Sequence, residues 1–232
     1  MRYFYIGESI KNERQTNMDC LLVKEKILNK NNVLFAVVCD GVGSLKDGGF
    51  ASSRAVAHLN SWFDCLQSDE RLGIELRDAI IRINQAIVLE EERHGLKAAT
   101  TLSSLLICED CYYIVHAGDS RIYMYNQDPV SSDINTDPQL TIDHVNDGKL
   151  ASFLGRDKIP QLFYLEGELP SECTFLLCSD GLYKHLNMEN FKEQIINMPF
   201  KKAKRLMNAM INTAIENGEK DNITVAIVKE CM

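Results

Sequence analysis

No apolar run in the 232-residue chain approaches the roughly 18 residues that a membrane-spanning helix needs. The opening MRYFYIGES has only a short apolar patch before Gly7-Glu8, too little for a secretory leader, so the expected location is the cytoplasm, with no membrane partner. Positive charge is also scarce. Lys and Arg number 25 against 33 Asp and Glu, a net charge of −8. Binding to a phosphate backbone needs clustered Lys and Arg, which argues against nucleic acid as a partner. A local phosphate pocket stays compatible, because net charge says little about one cavity. Repeats and low-complexity tracts are missing, and 45% apolar with 25% charged residues is ordinary globular composition, so disorder is out. The eight cysteines do not form a metal framework. Cys108 and Cys111 make one C-x2-C pair, but Cys173-x4-Cys178 is a poor second pair for zinc. The simpler reading is a hairpin turn at Glu109-Asp110 with a cysteine on each side.

The hydrophobic periodicity predicts strands over 2–6, 20–27 and 33–39, then helices over about 50–67 and 74–93. Strands follow over 100–108, 111–116 and 121–125, and a Pro-, Asp- and Asn-rich loop over 126–138. Further strands fit 162–165, 174–178 and 223–228, with helices over 188–198 and 201–217 divided by Pro199. No composition break divides the chain, so residues 1–232 are expected to form one α+β domain.

The informative pattern is where the aspartates fall. Asp40 follows VLFAVVC, Asp119 follows YYIVHAG, Asp180 follows TFLLCS, and Asp221 precedes Asn222 and ITVAIV. Asp19 adjoins a fifth strand-like run. One Asp-Gly after a strand is ordinary turn chemistry. Several carboxylates brought together by one core would repel each other unless a cation sat among them. All-oxygen donors select Mg²⁺, Mn²⁺ or Ca²⁺ over zinc. Two such ions about 3.5–4 Å apart repel by on the order of 15–20 kcal/mol at an effective dielectric of 20, so a bridging carboxylate is needed between them. Asp40 with the Gly41 carbonyl suits that position, because glycine lets the backbone approach closely. These residues by themselves point to metal-dependent phosphoryl hydrolysis.

Seven short segments, in order along nearly the whole chain, resemble the motifs of the metal-dependent type 2C serine/threonine protein phosphatases. They are Arg14-Gln-Thr-Asn17-Met18-Asp19, the run Asp40 to Ser52 (DGVGSLKDGGFAS), Ala99-Thr100-Thr101-Leu102, Gly118-Asp119-Ser120-Arg121, Leu140-Thr-Ile-Asp143-His144, Ser179-Asp180-Gly181 and Asp221-Asn222-Ile223-Thr224. The resemblance implies a four-layer αββα sandwich, with two antiparallel sheets flanked by helix pairs. It implies two Mn²⁺ or Mg²⁺ ions held by the positions of Asp40, Gly41, Asp180 and Asp221, and a third ion joined by Asp119 in bacterial-type members. Asp19 and Asn222 are expected to support the centre. Arg14 is expected to hold the substrate phosphate, a task suited to a fork-shaped guanidinium. In the family a hydroxide bridging the metals attacks phosphorus directly. The implied partner is a phosphorylated protein, the product of a cognate serine/threonine kinase, met by a monomer. Three positions depart from the family pattern. Met18 stands where Glu or Gln is usual, Ser44 replaces a glycine, and Val42 stands where many eukaryotic members carry a histidine. Bacterial members commonly lack that histidine.

Other residues read as structural. His116 lies in a strand-like run and is expected to be packed and hydrogen-bonded, since an acid or base needs a positioned partner. The basic run Lys201, Lys202, Lys204 and Arg205 reads as a solvated helix face, and Trp62 and Phe63 as core. Two rivals to a general phosphatase remain. One is a pseudophosphatase that binds phosphoproteins without hydrolysis, but it should have lost Asp40, Asp180 or Asp221, and all three are present. The other is a regulator devoted to one phosphoserine.

Overall fold

The structure, a computed structural model, describes residues 2–43, 45, 47–126, 138–156 and 159–231. Ser44 and nearly all of the expected 126–138 loop lie outside the described residues. The strands are β1 (Arg2–Ile10), β2 (Asp19–Leu28), β3 (Asn31–Asp40), β4 (Leu102–Cys108), β5 (Cys111–Ala117), β6 (Arg121–Tyr125), the short β7 (Val145–Asn146) and β8 (Lys149–Leu150), β9 (Phe163–Glu168), β10 (Thr174–Cys178) and β11 (Ile223–Cys231). The helices are α1 (Gly48–Cys65), α2 (Leu72–His94), α3 (Asp180–Tyr183), α4 (Lys192–Ile196) and α5 (Ala203–Glu216).

Two antiparallel sheets lie face to face, in the orders β1-β11-β10-β6 and β2-β3-β4-β5-β9. Strand β3 shows why. Its Val33, Phe35, Val37 and Cys39 pack with Leu59 and Phe63 of α1 and Leu76 and Ile80 of α2. Its alternate residues Leu34, Ala36 and Val38 pack with Phe175, Leu177, Ala226 and Val228 of the other sheet. A strand buried on both faces reads as a continuous apolar run, as VLFAVVC does. A third apolar layer joins Leu176, Ile223 and Val225 to Met207 and Met210 of α5. The expected αββα sandwich is the fold observed. Cys108 and Cys111 face each other across the β4–β5 turn, as expected. The basic run at 201–205 is exposed and Phe63 is buried.

Some boundaries differ from the expectation. Strands β1 and β11 pair along nine residues, from Arg2–Cys231 to Ile10–Ile223, because the backbone ladder carries polar residues such as Glu8 and Ser9 that hydropathy does not credit. The expected helix over 188–198 starts as a 3-10 turn, with the Asn187 side chain accepting from Glu189 N at 3.1 Å, and α4 itself is only one turn long. Helix α3 and the β7–β8 hairpin were not expected. The hairpin turn is Asp147-Gly148, both with positive φ, the sign pattern that suits the twist of paired strands.

Phe35 is fully buried and stacks on Phe63 at 5.3 Å between centroids, with Trp62 edge-on at 5.5 Å. Phe35→Ala is expected to lower the unfolding free energy by about 3–5 kcal/mol, measured by urea denaturation. A loss under about 1 kcal/mol would mean that the strand–helix layer is not closely packed there.

Candidate metal centre

Each carboxylate is placed by a strand end and held by its neighbours' hydroxyls and amides. Asp40 closes β3, where its Cα pairs with Asp19 of β2. Thr101 N and Thr100 Oγ1 donate to the Asp40 carbonyl at 2.8 and 3.0 Å, and Asp40 N donates to Thr101 Oγ1 at 2.9 Å. The Thr-Thr pair therefore fixes the backbone of Asp40 and leaves its carboxylate to face outward. At Gly41 an added Cβ would lie 2.6 Å from the Gly48 backbone and 2.7 Å from the Met18 carbonyl, so no other residue fits that turn.

Asp180 opens α3, directly after β10. Gly181 follows because a Cβ there would meet the Asn222 carbonyl at 2.1 Å. Strands β10 and β11 are locked beside it. Ser179 N donates to the Thr224 carbonyl at 3.0 Å, and Thr224 N donates to Ser179 Oγ at 3.0 Å. Both hydroxyls then donate to one oxygen of buried Asp19, Ser179 at 2.8 Å and Thr224 at 2.7 Å. Asp119 follows Gly118, whose φ of 114° and contact with Thr101 demand glycine. The Asp119 carbonyl accepts from Tyr183 Oη at 2.9 Å.

Asp221 begins the turn into β11. Asn222 joins that turn to the segment between β1 and β2, accepting from Met18 N at 2.8 Å and donating to the Lys11 and Thr16 carbonyls at 2.9 and 3.0 Å. This brings Arg14 to Asp221 as a two-pronged pair, Nε to Oδ1 at 2.8 Å and Nη2 to Oδ2 at 2.6 Å.

Asp40, Gly41, Val42, Thr101, Asp119, Asp180 and Asp221 thus line one cavity of about 110 Å³. Burial, then the neighbouring carboxylates, pushes Asp40 well above the ordinary carboxylate range. Burial first, and then Asp180, pushes Asp119 up to about 6. Burial outweighs two hydroxyl donors at Asp19, which also rises to about 6. The residues fit a hard divalent cation by this test: several buried carboxylates at one cavity, a glycine carbonyl with no room for a side chain, and anionic repulsion that a cation would relieve. No three His, Cys, Asp or Glu side chains among the described residues stand close enough to form a ready cage. Two of the carboxylates are instead drawn to basic side chains, Asp221 to Arg14 and Asp180 to Lys184.

All the expected positions except Asp19, Asn222 and Arg14 line the cavity itself. Those three lie around it, Asp19 beneath and Arg14 at its rim. The residues that sequence reading missed are Lys184, Glu219 and the paired hydroxyls of Ser179 and Thr224. Lys184 is four residues after Asp180, a spacing that carries a signal on a helix. Glu219 Oε1 caps the Asp221 turn, accepting from Lys220 N and Asp221 N at 2.7 Å each, and only the fold shows that. His116 is structural, as expected. Its Nε2 donates to the Gly118 and Ile142 carbonyls at 3.1 Å, Nδ1 meets Ser103 Oγ at 2.9 Å, and burial lowers its pKa to about 4.

Two packed antiparallel sheets between helix layers, with carboxylates gathered at the strand ends, define the architectural class. The chain belongs to the protein phosphatase 2C family, whose model matches residues 6–220. Among curated relatives, a putative protein phosphatase of Mycoplasma genitalium is 29% identical, with 97% of this chain and 95% of that protein covered. The serine/threonine phosphatase stp of Listeria monocytogenes is 29% identical over 87% of this chain and 86% of its own length. Among solved structures, the serine/threonine phosphatase Stp1 from Staphylococcus aureus superposes with a TM-score of 0.85 at 21% identity, covering 100% of this chain and 96% of that one. The catalytic domain of the serine/threonine protein phosphatase PstP, in complex with two manganese ions, superposes at 0.77 with 24% identity, covering 98% and 97%.

A carboxyl raised on folding stabilises the fold only while protonated. For Asp119, at the cavity wall, that contribution is present below about 3.8 and is lost as pH rises through about 6. A divalent ion must displace such protons. Mn²⁺ is therefore expected to raise the melting temperature more at about pH 7.5 than at about pH 5.5. Equal shifts in thermal melts at both pH values would show that no proton is displaced.

Proposed function

We propose that this chain is a metal-dependent serine/threonine phosphoprotein phosphatase, hydrolysing phosphoserine and phosphothreonine. The observation that carries the reading is the single cavity lined by Asp40, the Gly41 backbone, Asp119, Asp180 and Asp221. Family membership supports it, and so do the names of the relatives. With Asp40, Asp180 and Asp221 all present at the cavity, the catalytic reading is favoured over phosphoprotein binding alone.

In this reading Asp40, Gly41, Asp180 and Asp221 would hold two Mn²⁺ or Mg²⁺ ions, and Asp119 would join a third. Divalent ions bound there would supply Lewis-acid activation of water and of the phosphate. The chain's own residues do the rest. Thr100 and Thr101 hold Asp40 in place. Asp19 keeps the ends of β10 and β11 together, and with them Asp180 and Asp221. Arg14 spends two of its five N–H donors on Asp221 and has others for phosphate oxygens at the cavity rim. Val42, at the cavity wall, offers no proton to the leaving oxygen, so that proton comes from solvent. The three shared apolar layers support a single domain over 1–232. No described helix is long and apolar enough to cross a membrane. The substrate is taken to be a phosphoprotein made by a serine/threonine kinase, and the chain to act as a monomer in the cytoplasm.

Asp40→Asn is expected to lower hydrolysis of a phosphoserine peptide by more than about a hundredfold, and excess EDTA to abolish it. Full activity in EDTA would overturn the metal-dependent reading. Arg14→Lys is expected to reduce kcat/KM on phosphopeptides by about tenfold or more, since a point charge cannot make the two-pronged contact. An unchanged kcat/KM would remove Arg14 from phosphate binding.

A further inference from the structure

Lys184 sits at the C-terminal end of α3, one turn after Asp180, and its Nζ donates to Asp180 Oδ2. The carboxylate is largely buried, with 16% of its side chain exposed, while 54% of the lysine side chain is exposed. Lys184 also lines a second cavity of about 360 Å³, which shares Asp119 and Leu150 with the carboxylate cavity. Arg121 lines that second cavity too, but it is locked in place. It makes a two-pronged pair with Asp143 at 3.0 and 2.6 Å, and its face stacks 3.6 Å from the Tyr183 centroid. Among the described residues of this wall, Lys184 is therefore the cation held by a single carboxylate oxygen, that of Asp180, and it lines the cavity together with Asp119. Burial disfavours its charge, yet Asp180 first and then Asp119 and Asp40 more than restore it.

We propose that Lys184 is a built-in counter-cation of the metal centre, which competes with the divalent ion for Asp180 and so sets the metal concentration at which the centre fills. This rests on the reading of Asp180 as an ion ligand. A divalent ion can take Asp180 Oδ2 only when the ammonium leaves it, and the ammonium then swings into the adjoining cavity, whose wall it already lines. Two like charges cannot share one carboxylate oxygen at contact distance. An ion on that oxygen and the Lys184–Asp180 pair thus exclude each other, and each weakens the other by the same factor. The consequence is a weaker apparent affinity, so that the centre fills at a higher metal concentration than it would without the lysine.

The test is calorimetric titration of the full chain with Mn²⁺ alone, comparing wild type, Lys184→Met and Lys184→Arg. Lys184→Met keeps length and loses charge, and it is expected to bind Mn²⁺ about tenfold more tightly, within the usual range of coupling between sites. Lys184→Arg keeps the charge and is expected to stay within about threefold of wild type. Lys184→Gln serves as a second neutral variant if the Met variant does not fold. Unchanged affinity in the neutral variants would overturn the proposal. Weaker affinity would overturn it as well, and would mark Lys184 as a residue that merely positions Asp180. Absence of Mn²⁺ binding by the wild type would instead overturn the metal reading beneath it.

Discussion

One oxygen of Asp19 receives two hydroxyl protons, from Ser179 and from Thr224, in an interior where a bare carboxylate would be costly. Asp19 belongs to the five-stranded sheet, while Thr224 lies in β11 of the other sheet and Ser179 directly follows its β10. Hydrogen bonds to a charged acceptor contribute about 1.5–3 kcal/mol each, more than a neutral pair. This contact closes the sandwich at the end where β3 and β10 finish and β11 begins. Asp40 is Asp19's cross-strand partner, Asp180 is the residue after Ser179, and Asp221 lies three before Thr224. Removing the Asp19 link would loosen three strand ends at once.

The same closure creates an electrostatic problem. Sheet packing gathers carboxylates whose charges repel, and burial denies them the water that would screen the repulsion. The structure answers it in two ways. Asp40 and Asp119 are pushed toward their neutral forms. Asp180 and Asp221 are paired with Lys184 and Arg14, which enter from opposite sides, one on α3 and one on the segment between β1 and β2. A centre poised in this way gains by exchanging protons and side-chain cations for divalent ions.

The departures from the family pattern have a physical reading here. Met18 contributes through its backbone, with its carbonyl accepting from Gly41 N at 3.2 Å and Ser52 Oγ at 2.5 Å, so the turn at Gly41 survives the change of side chain. A Cβ added at Gly49 or Gly43 would come within 3.4 or 3.7 Å of the Met18 side chain, ordinary contact distance. Val42 donates its N–H to the Ala99 carbonyl at 2.9 Å, which holds the glycine-rich turn on the Thr-Thr segment whatever side chain it carries.

Local pattern determined much of this protein. The continuous apolar run of β3, the helical spacing of α1, α2 and α5, and an aspartate at each of four strand ends were legible because periodicity and turn chemistry act over a few residues. The motif order singles out Arg14, Asp19, Asp40, Gly41, Asp119, Asp180, Asp221 and Asn222, of which Asp40, Gly41, Asp119, Asp180 and Asp221 line one cavity. Tertiary structure alone decided the rest. The polar ends of β1 and β11 become strand only because nine backbone pairs form between residues more than 200 positions apart. Glu219 becomes a cap, and Ser179 and Thr224 become donors to Asp19, only once the sheets are packed. Hydropathy records which side chains leave water. It does not record which distant polar atoms must then find each other, and in a buried carboxylate centre that second question sets the chemistry.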